Sequence, residues 1–286
     1  MAIQFKKVTH IYSPNTPFSY TALNEIDLSI AEGKVTAIIG ATGSGKSTLV
    51  QHLNALLLPT SGEVEVCGKV INDKEKPKKL KSLRKEVGLV FQFPEYQLFE
   101  ETIIKDVAFG PKNFGATEEE ANTKAKQALQ VVGITEDYYE RSPLDLSGGQ
   151  KRRVAIAGIL AMDPSVVVLD EPTAGLDPQG AKQMMTLFKS LNTELVKTVL
   201  VVTHDMDHVL NYCDEVVVLI DGRVHCNSSV QDFFRDYDLM EKLEVVAPRV
   251  IQFRKELQEK GFTLSDDALT LDKIAEEVKA QVVSHE

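Results

Sequence analysis

Short runs of apolar residues recur along the chain, and each has the length of a β-strand. They lie at 35–39, 166–169, 199–202 and 216–220. A run of four or five residues with little polar alternation is typical of a strand buried on both faces. Segments with helical spacing separate these runs, which is the sequence form of an α/β protein. We therefore predict a parallel sheet that carries helices on both faces.

Further patterns predict the elements around these strands. Shorter strand-like patterns occur at 3–8, 23–30 and 63–66. Helical patterns cover 46–58, which ends before Pro59, and 118–132, where Thr117 precedes acidic residues and Gly133 follows. After about residue 230 the pattern becomes that of a small helical appendage. Its apolar stripes are formed by Val250, Phe253 and Leu257, and by Leu271, Ile274, Val278 and Val282.

Composition narrows the class of protein. The formal net charge of −10 over 286 residues argues against a nucleic-acid partner. The apolar runs are far shorter than the roughly 20 residues that span a bilayer, and the first residues lack a secretory signal, so we expect a cytosolic chain. Three cysteines without metal-ligand spacing are expected to be partly buried. The lysine-rich segment 74–81 is expected to be a solvated loop or the start of a surface helix.

Residues 40–47 read Gly-Ala-Thr-Gly-Ser-Gly-Lys-Ser and follow the predicted strand 35–39. The order strand, GxxxxGK[ST] loop, helix is typical of loops whose backbone amides bind phosphates. In such loops the lysine, here Lys46, reaches the β- and γ-phosphates, and the hydroxyl, here Ser47, binds Mg²⁺. An ordinary glycine turn needs neither group, so the segment predicts nucleotide binding.

Two carboxylates follow another predicted strand. Asp170 and Glu171 come directly after the run 166–169, and parallel sheets bind ligands at the carboxyl ends of their strands. We expect Asp170 to hold Mg²⁺ through water and Glu171 to polarise the attacking water in phosphoryl transfer. An ordinary acidic turn is the alternative, and the phosphate loop earlier in the chain makes it the weaker one.

Further motifs follow in order. They are Gln92, the signature segment (Leu146-Ser147-Gly148-Gly149-Gln150), Ala174-Gly175-Leu176-Asp177, and His204. With the phosphate loop and the two carboxylates, they resemble the nucleotide-binding subunits of ATP-binding cassette (ABC) transporters over about residues 3–230. The resemblance implies an α/β P-loop NTPase (RecA-like) fold, with a parallel-sheet core, an N-terminal antiparallel β-subdomain and a helical signature subdomain at about 93–163.

The same resemblance implies the residues of an ATP and Mg²⁺ site. Those implied to act in catalysis are Glu171, His204, Gln92 and Lys46. Those implied to contact the nucleotide are Tyr12, Gly40, Ala41, Thr42, Gly43, Ser44, Gly45, Lys46, Ser47, Thr48, Ser147, Gly148, Gly149, Gln150 and Asp177. Those implied to bind Mg²⁺ are Ser47, Gln92 and Asp170. Tyr12 is expected to stack on adenine, with Phe18 and Tyr20 as alternatives, and the remaining histidines receive no role.

In the family, two subunits close head to tail, so that the phosphate loop of one faces the signature segment of the other across ATP. Ser147 and the amides of Gly148 and Gly149, at the start of a helix expected over 150–160, then offer a second helix amino terminus to the γ-phosphate. The resemblance thus ties hydrolysis to closure of the dimer.

A narrower resemblance lies at 91–111, which is similar to the ATPases of energy-coupling factor transporters and their cobalt and nickel relatives. It implies contact with a transmembrane coupling protein at the cytoplasmic face of the cell membrane, and separate membrane subunits that capture vitamins or transition-metal ions. The acidic residues expected either to pair with arginines of the coupling protein or to be solvated are Glu95, Glu100, Glu101 and Asp106. Tyr96 and Phe99 belong either to this surface or to the subdomain core.

The insertion 12–18 resembles the second of two paralogous ATPases in these transporters, and the C-terminal helices resemble the extension through which such ATPases pair. The expected organisation is an ABC ATPase domain at 1–230 and a C-terminal helical extension at 231–286 that pairs with a paralogous subunit. The residues of this chain do not decide between a heterodimer and a homodimer.

Other classes of ATPase fit part of the pattern. A soluble ABC ATPase that drives a cytosolic assembly complex would keep the catalytic motifs but not the surface at 92–111. A DNA-repair or chromosome-structure ATPase would carry long heptad arms, and the interval 46–147 is too short to hold them. A regulatory module without turnover would lack Glu171 or His204, and both are present.

Overall fold

Two β-sheets and the helices around them make up the described part of this computed structural model, residues 3–73 and 80–283. The strands are β1 (Ile3–Tyr12), β2 (Tyr20–Ile30), β3 (Val35–Ile39), β4 (Ser61–Val66), β5 (Lys69–Asn72), β6 (Val87–Val90), β7 (Val166–Asp170), β8 (Thr198–Val202), β9 (Glu215–Ile220) and β10 (Arg223–Ser229). The helices are α1 (Lys46–His52), α2 (Leu80–Glu86), α3 (Ile103–Asn113), α4 (Glu118–Val131), α5 (Gly148–Leu160), α6 (Pro178–Thr193), α7 (Met206–Tyr212), α8 (Val230–Phe233), α9 (Tyr237–Lys242), α10 (Arg249–Glu259) and α11 (Leu271–Val283). Short 3₁₀ helices lie at Pro94–Gln97, Glu136–Tyr138 and Pro143–Asp145.

The larger sheet has the strand order β10-β9-β3-β8-β7-β6. Strands β9, β3, β8, β7 and β6 pair in parallel, and β10 pairs antiparallel with β9. Every residue of β3 and of β8 is buried, which confirms the prediction of strands covered on both faces. Because the carboxyl ends of β3, β7 and β8 lie at the same edge, the segments that follow these strands meet there.

Alternate residues of the parallel strands enter two separate cores. Ile38 and Leu200 pack with Leu49 of α1 and with the antiparallel sheet, whose order is β2-β1-β4-β5. Ala37 and Leu169 pack on the opposite face, in the core that contains the helical subdomain and α6. The predicted α/β class, with a parallel core and an antiparallel β-subdomain near the amino terminus, is confirmed.

Helices α3, α4 and α5 pack together beside the larger sheet. Helix α4 begins where the sequence predicts, because the Thr117 hydroxyl accepts from the Glu120 N–H and the Glu120 carboxylate accepts from the Thr117 N–H. Helix α5 begins at Gly148, slightly before the predicted start at 150. These helices carry the signature segment at the amino end of α5.

Helix α1 is shorter than predicted and ends at His52 rather than at residue 58. The Asn54 side chain accepts a hydrogen bond from the Leu56 N–H at 3.2 Å, and Ala55 has φ 51°. A local bond from a side chain to the backbone competes with the helical hydrogen bonds. The chain therefore turns within the span that hydrophobic spacing assigned to the helix.

The predicted C-terminal helices form as α10 and α11, but only part of each apolar stripe is packed. The members that pack around a small core are Val250, Leu257, Ile274 and Val278. The exposed members are Phe253, Leu271 and Val282. Helix α10 also buries Ile251 in the main core, and it buries Arg254. The predicted helices are therefore present, and the pairing role of 231–286 stays a prediction.

Three smaller expectations concern the surface and the cysteines. The lysine-rich segment 74–81 lies mostly outside the described residues, and its last two residues begin α2. Cys213 is buried, and Cys67 and Cys226 are half-buried, as expected. Within 3–73 and 80–283, none of the helices has both the length and the apolar character needed to cross a bilayer.

Replacing Phe188 by alanine tests the core on the α6 side of the sheet. Phe188 is fully buried there, so its removal leaves a cavity. We expect Phe188→Ala to lower the free energy of unfolding by about 3–5 kcal/mol in urea denaturation. Lys182→Ala, on the exposed side of the same helix, is the control, with an expected change within about 0.5 kcal/mol. An equally small loss in Phe188→Ala would contradict this packing.

Candidate functional site

The loop between β3 and α1 wraps around the Lys46 ammonium group. Lys46 Nζ donates hydrogen bonds to the carbonyl oxygens of Gly40 at 2.8 Å and Ala41 at 2.9 Å. Burial lowers the pKa of Lys46, and the nearby carboxylates of Glu171 and Asp170 oppose that shift. The loop therefore holds a partly desolvated cation against its own backbone.

Close backbone contacts require glycine at two positions of this loop. A Cβ on Gly40 would lie 2.2 Å from the Leu219 carbonyl oxygen, and a Cβ on Gly45 would lie 2.5 Å from the Ala22 carbonyl oxygen. Gly45 also has φ 99°, which residues with a side chain rarely adopt. The glycine pattern in the sequence thus has a steric cause in the tertiary structure.

The phosphate loop opens into a cleft of about 510 Å³, named here the phosphate-loop cleft. The predicted site residues that line it are Thr42, Gly43, Gly45, Lys46, Ser47, Thr48, Gln92, Asp170, Glu171 and His204. They come from the segments at the ends of β3, β6, β7 and β8. Gly40, Ala41 and Ser44 belong to the same loop. The sheet thus gathers residues that are far apart in the sequence.

Asp170 and Ser47 are in contact in the phosphate-loop cleft. Burial raises the pKa of Asp170, while a hydrogen bond with Ser47 and the charge of Lys46 oppose that rise. Within the described residues, no group of three or more His, Cys, Asp or Glu side chains is suited to a metal ion. One carboxylate, one hydroxyl and the Gln92 amide are nevertheless a donor set that fits Mg²⁺, which commonly binds through few protein oxygens, water and substrate phosphates.

Glu171 and His204 form a second polar pair in the cleft. His204 Nδ1 lies 3.0 Å from Glu171 Oε1, and the His204 side chain is 80% exposed whereas that of Glu171 is 18% exposed. Glu171 has φ 50°, and its N–H donates to the Val202 carbonyl at the end of β8 at 3.0 Å. This backbone bond fixes the glutamate beside the segment that carries His204.

Two tyrosines lie at paired positions of β1 and β2 beside the loop. The Tyr12 hydroxyl is 3.1 Å from Thr48 Oγ1, and its ring packs edge-on against His10. The Tyr20 hydroxyl donates to the Gly43 carbonyl at 3.0 Å, and Tyr20 lines the phosphate-loop cleft. The first choice from the sequence, Tyr12, is therefore next to the cleft, whereas the alternative, Tyr20, forms part of its wall.

The signature segment lines a different cleft, of about 570 Å³, named here the signature cleft. The Ser147 hydroxyl accepts from the Gln150 N–H, and the Gln150 side chain accepts from the Ser147 N–H, which caps α5. Asp177 caps α6 by accepting from the Gly180 N–H at 2.6 Å, and it lines the same cleft. The two clefts share no lining residue among those described. The signature segment and the phosphate loop thus line different clefts of the folded chain.

Acidic side chains after Gln92 are engaged within the chain. Arg152 Nε lies 3.0 Å from Glu95 Oε2, and Arg152 Nη2 lies 2.7 Å from Glu95 Oε1. Burial acts to raise the pKa of Glu95, but the hydrogen bonds from Arg152 lower it below its usual value. Both carboxylate oxygens of Glu95 are thus bonded to Arg152, so the alternative of a solvated side chain is wrong for Glu95. Pairing of Glu95 with an arginine of another protein stays a prediction.

The other side chains of this segment face outward or cap the backbone. Asp106 accepts from the Phe99 and Glu100 N–H groups at 2.8 and 2.9 Å, and Glu101 pairs with Lys105 on the surface. Tyr96 is 85% exposed and Phe99 is 64% exposed. Of the two placements expected for these aromatics, burial in the subdomain core is therefore wrong.

His10 and His52, to which the sequence assigned no role, form a contact between β1 and α1. Their rings are 4.9 Å apart in an edge-on arrangement. His52 Nδ1 donates to the Thr48 carbonyl at 2.7 Å, and His10 Nδ1 donates to the Leu58 carbonyl at 3.0 Å. No local motif marks these histidines, because their burial depends on how the antiparallel sheet packs on α1.

Comparison with known proteins was consistent with the motifs. The model of the family described as ABC transporter matches residues 23–174. The energy-coupling factor transporter ATP-binding protein EcfA2 of Spiroplasma kunkelii is 52% identical over 278 residues, covering 96% of this chain and 91% of the relative. EcfA2 of Enterococcus faecalis is 51% identical over 278 residues, covering 97% and 96%.

Solved structures give the same fold. The dimeric post-hydrolysis state of the ATP-binding cassette MJ0796 bound to ADP and Pi has a TM-score of 0.71 and 33% identity, covering 80% of this chain and 98% of that one. Clostridium perfringens cbiO1, described as part of the ABC transporter complex cbiONQ, has a TM-score of 0.74 and 38% identity, covering 89% and 98%. The predicted P-loop NTPase fold is thereby confirmed.

His52 makes the stability of the region around α1 depend on pH. Burial lowers the pKa of His52 from 6.5 to about 4. The unfolded chain binds a proton that the folded chain excludes, so the free energy of unfolding should fall as the pH drops from 6.5 towards 4, by up to about 3 kcal/mol. In His52→Asn, whose amide retains a donor for Thr48, urea denaturation at several pH values should show a smaller loss. An identical pH dependence in the two proteins would contradict the assignment.

Proposed function

Because the chain belongs to the ABC transporter family, as an ATP-binding subunit of the energy-coupling factor type, we propose that it hydrolyses ATP in the phosphate-loop cleft to power an importer. The observation that carries this proposal is that the phosphate loop, Asp170, Glu171 and His204 line the same cleft. Phosphoryl transfer needs a phosphate cradle, a metal site and a group that positions water. The cleft contains candidates for all three.

The phosphates of ATP are proposed to bind the backbone amides of 40–48. Lys46, which now donates to two loop carbonyls, would turn its ammonium group to the β- and γ-phosphates. The paired tyrosines of β1 and β2 would contact adenine. Tyr12 remains our proposal for stacking, and Tyr20 would support the loop through Gly43.

Ser47, Asp170 and Gln92 are the residues we propose for Mg²⁺, on the strength of their oxygen donors. These residues would hold Mg²⁺ beside the phosphates of ATP, where its positive charge would offset theirs. Asp170 would serve this purpose as a carboxylate, and the neighbouring Lys46 charge favours that form.

Glu171 is proposed to orient and polarise the attacking water. His204 would contact both the γ-phosphate and the Glu171 carboxylate and so fix their relative positions, since its ring nitrogen already lies 3.0 Å from that carboxylate. Its exposure leaves the ring free to reach a phosphate. The two side chains would act by positioning, which is the main contribution of protein groups to this reaction.

A second subunit is proposed to complete each site. Ser147, Gly149, Gln150 and Asp177 line the signature cleft and are absent from the lining of the phosphate-loop cleft, and Gly148 belongs to the same signature segment. Head-to-tail pairing would bring them to the partner's γ-phosphate. The similar cassette MJ0796 is described as dimeric, which supports such pairing. We propose a paralogous ATPase as the partner and 231–286 as the pairing extension.

The transport context follows from the relatives. EcfA2 proteins are named for energy-coupling factor transporters, and cbiO1 is described as part of a transporter complex. They favour an importer over a cytosolic assembly machine. We propose that the chain sits peripherally at the cytoplasmic face of the cell membrane, on a transmembrane coupling protein and membrane subunits that bind vitamins or transition-metal ions.

Removing the Glu171 charge tests the hydrolysis step. Glu171→Gln keeps the size of the side chain but loses the carboxylate proposed to polarise water, so the assembled complex should bind ATP normally and hydrolyse it at least about 100-fold more slowly. Phosphate release and nucleotide affinity are the measurements. Glu119→Gln, an exposed position on α4, is the control and should hydrolyse at the wild-type rate. Normal turnover in Glu171→Gln would refute the assignment.

Affinity purification from detergent-solubilised cells at native expression tests the partners. We expect a second cassette ATPase and small polytopic membrane proteins to co-elute, identified by mass spectrometry. The same cells without the affinity tag give the background. A set of exclusively soluble partners would instead move the function to a cytosolic assembly complex.

A further inference from the structure

Arg152 is a buried charged residue that the proposed catalytic roles do not use. It lies early in α5, shortly after the Ser147 cap, and is 3% exposed. A buried guanidinium is costly unless its donors are satisfied. The groups that accept hydrogen bonds from Arg152 therefore indicate its role in the structure.

One side of the guanidinium contacts the segment after Gln92. Nε and Nη2 donate to the two oxygens of Glu95, in the 3₁₀ helix Pro94–Gln97. The guanidinium carbon also lies 5.7 Å from the centroid of the Phe93 ring. Arg152 thus ties α5 to the segment that directly follows a residue of the phosphate-loop cleft.

The other side contacts the loop after Glu171. Nη1 donates to the carbonyls of Ala174 at 2.7 Å and Pro172 at 3.3 Å. The Ala174 N–H in turn donates to the Glu171 carbonyl at 3.1 Å. Ala174 lines the phosphate-loop cleft and is followed by Gly175, which lines the signature cleft. The loop held by Arg152 therefore borders both clefts.

We infer that Arg152 is a positioning residue that joins the signature helix, the segment after Gln92 and the loop after Glu171 into one unit, and so sets the rate of ATP hydrolysis without touching ATP. The inference deepens the proposed function and rests on it. In the proposed dimer, the signature helix serves the nucleotide of the partner, whereas Gln92 and Glu171 serve the subunit's own nucleotide. Hydrogen bonds from one guanidinium to both segments fix the position of the signature helix relative to Gln92 and Glu171.

The chemistry of arginine is essential to this role. Its planar guanidinium donates in fixed directions to a bidentate carboxylate and to backbone carbonyls together. Lysine carries the same charge on a single nitrogen and cannot reproduce that arrangement. Arg152→Lys therefore removes the connection and keeps the positive charge.

The test uses Arg152→Lys and Glu95→Gln in the full chain, purified with its partners. We expect kcat for ATP hydrolysis to fall at least about tenfold in each, while KM and the ATP dissociation constant stay within about twofold of wild type. The double variant should be little worse than either single one, because residues that act as a unit are not additive. Unfolding temperature is recorded for every protein.

Ile156→Val is the matched control, since Ile156 is a fully buried residue of the same helix and its side chain has no group that could donate to Glu95 or to the carbonyls of Pro172 and Ala174. It should lower the unfolding temperature and leave kcat near wild type. Wild-type kcat in Arg152→Lys, a loss no greater than that in Ile156→Val, or a parallel loss of ATP affinity would overturn the inference. If the wild-type complex itself hydrolysed no ATP, the proposed function would fail as well, so the two failures are distinguishable.

Discussion

The parallel pairing of β3, β8 and β7 is the constraint on which the rest of the structure depends. Val199 of β8 pairs with Val35 on one side and Val167 on the other, so the three strands end together. A shift of one residue in either pairing would exchange the side chains between the two cores and would displace the loop that follows the strand. The observed register brings the phosphate loop, the two carboxylates and His204 to one edge.

Charged side chains are concentrated at that edge because the segments that follow β3, β7 and β8 meet there. Lys46 is partly buried beside Asp170 and Glu171, and burial acts against the charged forms of both Lys46 and Asp170. The opposite charges compensate for part of this cost. A polyphosphate with its metal ion would replace the loop carbonyls around Lys46 by a stronger partner, which gives the cleft a physical reason to prefer such a ligand.

The separation of the two clefts has a different consequence. On the proposed function, the signature segment of a partner completes the site at each phosphate loop. Within the described residues, Arg152 links the signature helix to the segments after Gln92 and Glu171, which border the phosphate-loop cleft. The Glu95 carboxylate, which the sequence suggested for contact with another protein, serves this internal connection.

The sequence by itself determined the features that depend on neighbouring residues. The phosphate-loop motif, the Thr117 and Ser147 caps and the lengths of the parallel strands are local patterns, so they were readable without the fold. The reason that Gly40 and Gly45 are required lies in the tertiary structure, because a Cβ there would meet the distant carbonyls of Leu219 and Ala22. The tertiary structure decided the rest. Glu95 meets an arginine far along the chain, Tyr20 rather than Tyr12 lines the cleft, and Phe253 faces solvent, because such contacts depend on how distant segments pack and hydrophobic spacing carries no information about them.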